Sequence, residues 1–179
     1  MELKVITYPN PILRQISKPV EVFDEALGEL LDAMYEVMIS KNGVGISAIQ
    51  VAKPIRALLI CIPDSEGNQR KEDLLEIINP EITQKEGEIA FNEGCLSVPE
   101  FYEDIKRNQS IIVNYQDRFG NPKEIQASDY LAVAFQHEID HLNGILFIDK
   151  LPLLKRKKFE KEHRRQGHKH QEHKSKDKA

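Results

Sequence analysis

SDYLAVAFQHEIDHLNG, residues 128–144, carries the reading on which the fold turns. Leu131, Phe135, Ile139 and Leu142 recur at intervals of three and four, the period of one helix face. Ser128 or Asp129 can cap the start, and Asn143-Gly144 stands where helices end. The pattern predicts a helix over 128–142. The Ala, Val and Leu that precede its polar residues mark it as interior.

Within that helix His137, Glu138 and His141 form H-E-x-x-H. Residues four apart lie one above the other, so both imidazoles can face one ion. Glu138 borders the same face, where a carboxylate can take a proton from an attacking water. The bland alternative is a surface helix with two solvated histidines. It conflicts with the apolar surroundings, because burying so many polar groups without a use is costly.

Two histidines need a third ligand, and three readings compete. An extended peptidase pattern puts another histidine at 147, but Phe147 cannot bind a metal. A second pattern uses a carboxylate further downstream, where Glu160 and Glu162 lie in a highly charged segment and Asp149 is a weaker candidate. Upstream, Cys95 sits in NEGCLSVP behind Gly94. Thiolate is a strong ligand for zinc or iron, and two His with one Cys leave a fourth position open. A lone cysteine is otherwise a small buried hydrophobe, which is the reading for Cys61 in LLICIP.

Working outward, Leu27, Leu31, Met34 and Met38 predict a first helix over 24–40, capped by Asp24 and stopped by Asn42-Gly43. Residues 56–62, 75–79 and 111–115 read as strands, with turns at 66–68 and 119–122. Strands without regular βαβ alternation indicate an α+β fold. At 179 residues, 40% hydrophobic and 30% charged, the chain is expected to be one soluble domain. No apolar run is long enough to span a bilayer, and the start MELKVITYPNP has no secretory pattern. Two cysteines make no disulfide framework, so a reducing, cytoplasmic setting is expected.

The net charge of −4 conceals an asymmetry. Residues 155–179 hold 11 Lys and Arg against 4 Asp and Glu, a balance of +7. The remaining 14 basic and 25 acidic residues leave −11 before them. The expected division is a catalytic domain over 1–159 and a basic, disordered tail over 160–179.

Three segments taken together, GVGISAIQ (43–50), EGCLSVP (93–99) and QHEIDHLNG (136–144), resemble the peptide deformylase family. ITYPNPILRQISKPV (6–20), INP (78–80), Arg107 and LFIDKLP (146–152) are similar to it as well. One departure is Ser47, where the family usually has alanine. The resemblance implies antiparallel β-sheets packed around a central metal-binding helix, with an N-terminal and a C-terminal helix. It implies Cys95, His137 and His141 as metal ligands and Glu138 as general acid and base. Gln50, through its amide, and Leu96, through its N–H, would stabilise the oxyanion. The metal would be one divalent ion per chain, Fe(II), with Zn, Ni or Co in some preparations. The substrate would be N-formylmethionyl nascent peptides, bound by Gly43, Val44, Gly45, Glu93, Gly94, Arg107, Tyr130, Val133 and Ala134. The 43–45 loop is expected to meet the substrate backbone as an added strand, and the last three residues with Val44 to form a pocket for methionine. The expected partner is the ribosome, transiently and through the basic tail. No membrane partner is expected, and the protein is expected to be a monomer.

Overall fold

The computed structural model describes residues 1–176 of the chain, and side chains through residue 167. Two compact units divide the chain, Met1–Phe147 and Ile148–Ala179.

The first unit begins its regular structure with α1 (Glu25–Ser40). The Asp24 carboxylate accepts the Leu27 N–H at 3.0 Å, satisfying one of the free donors at the helix start. Leu27, Leu31, Met34 and Met38 are buried as their spacing predicts, with Leu30 beside them. Helix α2 (Asp129–Leu142) matches its predicted bounds to within one residue.

Between the helices lie two antiparallel sheets. The larger has the order β1-β2-β3-β6-β7 and the smaller is the hairpin β4-β5. Their ranges are β1 Gly45–Ser47, β2 Ala57–Ile60, β3 Leu75–Glu86, β4 Ile89–Cys95, β5 Val98–Arg107, β6 Ser110–Gln116 and β7 Pro122–Ser128. The strand readings at 56–62, 75–79 and 111–115 fall on β2, β3 and β6. Strand β3 runs seven residues beyond its predicted end at 79. Its outer part is exposed and polar but stays paired with β6, across register shifts near Glu81 and Ile82. Strands β1, β4, β5 and β7 were not foreseen.

Strand β2 shows why the sheet needs a helix on each face. Ala57 and Leu59 join a core cluster with Leu27, Leu31, Met34 and Met38 of α1. Leu58 and Ile60 join a second cluster with Phe135, Ile139 and Leu142 of α2. Successive side chains of a strand point to opposite faces, so a fully apolar strand must be covered twice. Each fully buried aliphatic side chain contributes about 1.5–3 kcal/mol, and this anchors α2 rigidly against the sheet.

The second unit contains α3 (Leu153–Lys176). Its residues 160–176, read from composition as a disordered tail, have helical backbone. Lys, Arg, Glu and Gln are good helix formers, and Arg156 faces Glu160 one turn on at 3.5 Å. Residues 177–179, the end of that tail, lie outside the described residues.

Candidate metal centre

Helix α2 delivers His137, Glu138 and His141, all buried, to one spot. Cys95 arrives from the end of β4, where the hairpin turns through Leu96 and Ser97 and closes on the Cys95–Val98 pair. The ligand atoms of Cys95, His137 and His141 lie within 4.8 Å of one another. Cys95 Sγ is 3.3 Å from His141 Nε2. Among the described residues this is the cluster able to hold a metal, and Asp149, Glu160 and Glu162 do not belong to it. Phe147, at the position where a histidine would extend the peptidase pattern, is buried with its ring 5.8 Å from that of His137.

Behind His137 stands a buried ionic relay. His137 Nδ1 is 2.8 Å from Glu93 Oε1. Arg107 donates from Nε and Nη2 to the two oxygens of Glu93, at 2.8 Å each, and from Nη1 to Asp140 Oδ2. Burial alone would raise the Glu93 carboxyl. The hydrogen bonds from Arg107 and His137 overcome it and hold it at about 2. An ionised Glu93 accepts at Nδ1, so the proton sits there and the lone pair is left on Nε2 of His137. A carboxylate supporting the far nitrogen of a histidine is the usual companion of a metal ligand.

This network holds two residues that were expected to meet substrate. Arg107 was expected to bind substrate, but it does not line the cleft and its guanidinium is engaged by Glu93 and Asp140. Glu93 borders the cleft, yet both its oxygens are taken by Arg107 and His137. The two charges are paired with each other directly behind His137.

Glu138 is different. Its Oε2 is buried without a hydrogen-bond partner. Burial pushes its carboxyl up to about 7, against the opposing pull of His137 and with help from Glu93. Its Oε1 rests on Gly45, where an added Cβ would lie 2.7 Å away. Gly45 is thus a glycine for room.

Gln50 lies on a 3-10 turn, Ala48–Val51, directly after β1. Its Nε2 is 3.6 Å from Cys95 Sγ and 3.0 Å from Ser97 Oγ. The Ser97 N–H also donates to Sγ, at 3.4 Å. The sulfur therefore meets two N–H donors, which suits a thiolate. Two imidazoles and a cysteine sulfur are a donor set that fits a divalent ion with an open position.

A cleft of about 1060 Å³ opens in front of these atoms. Gly43, Val44, Gly45, Glu93, Gly94, Tyr130, Val133 and Ala134 line it. So do Leu96, expected at the site for its N–H, and Phe91, Tyr102 and the N-terminal stretch around Leu3 and Val5, which were not foreseen as lining. Phe91 stacks on Tyr130, with centroids 4.9 Å apart. A stacking partner on a strand that was itself not predicted leaves no sequence signal. The 43–45 loop offers less than expected, because the Gly43 carbonyl accepts from Gln69 Nε2 and the Val44 carbonyl from the Cys61 N–H. Strand β1 is nevertheless at the edge of its sheet. Cys61 is buried, its thiol raised by that burial and 3.4 Å from the Arg70 carbonyl.

Residues 2–157 match the family model for polypeptide deformylase. A peptide deformylase of Wolinella succinogenes is 66% identical over 160 residues, 89% of this chain and 94% of the relative. One of Helicobacter acinonychis is 56% identical over the same share of this chain and 91% of its own. Among solved structures, a peptide deformylase from Legionella pneumophila superposes with a TM-score of 0.82 at 42% identity, over 93% of this chain and 98% of that one.

Proposed function

The chain belongs to the polypeptide deformylase family, and on that premise we propose how its residues share the removal of the formyl group from N-formylmethionyl ends of new proteins, with release of formate. The observation that carries the residue assignment is the Cys95, His137, His141 cluster with Glu138 Oε2 buried beside it and unpartnered.

Cys95, His137 and His141 would hold one divalent ion. When bound, such an ion polarises the formyl carbonyl and makes a water acidic enough to attack near neutral pH. Thiolate and imidazole suit iron, zinc, nickel or cobalt, and the family resemblance points to Fe(II). Glu138 holds the proton of the attacking water at its carboxylate and passes it to the leaving amine. The Gln50 amide and the Leu96 N–H donate to the carbonyl oxygen as charge develops there, each contributing about 3 kcal/mol of barrier lowering. The Arg107–Glu93 pair keeps His137 in the tautomer that binds.

The substrate chain lies along β1, with Val44, Tyr130, Val133 and Ala134 around its methionine side chain. A formyl carbon bears only hydrogen, so a narrow site admits it and rejects an acetyl methyl. Formate release from formyl-Met-Ala-Ser with little action on acetyl-Met-Ala-Ser is the expected outcome. Comparable rates on the two, or cleavage of casein, would sink this reading and favour an endopeptidase.

No described helix is long and apolar enough to cross a membrane. We place the enzyme in the cytoplasm, acting as a monomer, since one chain supplies the whole cluster. The +7 of residues 155–179 favours contact with RNA phosphates at the ribosome. Deleting the residues after Glu162 is expected to leave tripeptide turnover intact and to weaken ribosome cosedimentation at low salt. Unchanged, salt-insensitive cosedimentation would make the tail a solvated end.

A further inference from the structure

Serine holds the Gln50 carboxamide at both ends. We propose that Ser47 and Ser97 are positioning residues for Gln50, clamping its amide so that one Nε2–H is kept aimed at the reacting centre. The proposal rests on the reading that Gln50 donates to the developing charge on the formyl oxygen.

At one end, Gln50 Oε1 accepts the Ser47 N–H at 2.9 Å and the Ser47 hydroxyl at 3.0 Å. A backbone N–H can only donate, so it dictates that the oxygen of the amide faces Ser47 and the nitrogen faces away. At the other end, one Nε2–H goes to Ser97 Oγ at 3.0 Å. That leaves the second Nε2–H for Cys95 Sγ, at 3.6 Å. The contact to sulfur is the longest of the four and the easiest to exchange for a substrate oxygen. The other three remain and hold the plane of the amide.

Ser47, Ser97 and Gln50 are all buried, with exposures of 0%, 0% and 1%, so no bulk water competes for these bonds. Ser47 is also the chain's departure from the usual alanine of the motif. Alanine would leave the backbone N–H alone on Oε1. A second donor there polarises the amide and makes its N–H a better donor on the far side.

A purely structural role, in which Ser47 caps the Ala48–Val51 turn, is the competing account. A double-mutant cycle separates the two. Ser47→Ala and Ser97→Ala are made in the native chain and in a Gln50→Ala background. The readouts are kcat and KM on formyl-Met-Ala-Ser, the thermal midpoint, and the Gln50 side-chain NH2 signals of the zinc-loaded protein. Folding should survive, since alanine is the usual residue at position 47. Ser47→Ala should lower kcat about two- to tenfold, the worth of one neutral hydrogen bond, with KM unchanged. The Gln50 NH2 signals should shift and exchange faster. In the Gln50→Ala background neither serine change should lower kcat further. Equal losses in both backgrounds, or a fall in thermal midpoint alone with the NH2 signals unmoved, overturn the clamp while leaving Gln50 as donor. A Gln50→Ala enzyme with native kcat removes the donor reading and the clamp together.

Discussion

Cys95→Ser is expected to empty the centre of metal and bring formate release to background. The thiolate is the one anionic ligand of the three, and a serine hydroxyl does not ionise near neutral pH. The two imidazoles would then hold the ion alone, without the charge that offsets it. Nearby N–H donors, Ser97 N at 3.4 Å and Gln50 Nε2 at 3.6 Å from Sγ, are set to stabilise an anion and bond more weakly to a neutral hydroxyl. Cys61→Ser and Glu162→Gln should keep both metal and turnover, because neither residue is part of the cluster. Metal content and formate release across the three variants decide the matter. Retention of metal in Cys95→Ser with its loss in Glu162→Gln would return the third ligand to the downstream carboxylates. The same thiolate should make an iron-loaded enzyme lose activity in air or peroxide.

Glu138→Gln should retain the metal and lose about 10²–10⁴-fold in kcat, the usual worth of general acid–base catalysis. Glutamine fills the same space against Gly45 but cannot accept a proton. Loss of the ion in this variant would instead make Glu138 a ligand. Gly45→Ala tests the same carboxylate without touching it. An added Cβ would stand 2.7 Å from Oε1 and 3.0 Å from Cγ of Glu138, so the side chain must shift. A shift of this kind at a proton carrier is expected to lower kcat while the metal stays bound. Native kcat in Gly45→Ala would show that the placement of the carboxylate is not critical.

Helices α1 and α2 were legible because their signals are local. Apolar residues at helical spacing, the Asp24 cap and the Asn-Gly stops all lie within the element they define. Strands β2 and β6 were legible as apolar runs. Strands β4, β5 and β7 were not, because few of their residues are fully buried and each takes its identity from a partner elsewhere in the chain. The pairing of Asn92 with Asp104 or of Ile112 with Gln126 leaves no mark in either segment alone.

The centre divides in the same way. His137, Glu138 and His141 share a helix, and a period of 3.6 residues puts them on one side whatever surrounds them. From the residues alone Cys95, in its Gly-containing loop, was the better candidate than Glu160 and Glu162 in their charged segment, and the family resemblance added to that. What brings Cys95 to His137 and His141 is the closing of the β4–β5 hairpin at Cys95–Val98, a tertiary event. The same packing sets Glu93 and Arg107, expected as substrate contacts, in hydrogen-bonded contact behind His137. Arg107 meets Glu93 across 14 residues and Asp140 across 33. Composition and periodicity determined which residues can do metal chemistry and that one helix carries most of them. Which charges face the substrate and which stand behind a ligand was decided only by packing, because a buried ion takes the partner that the fold brings within reach.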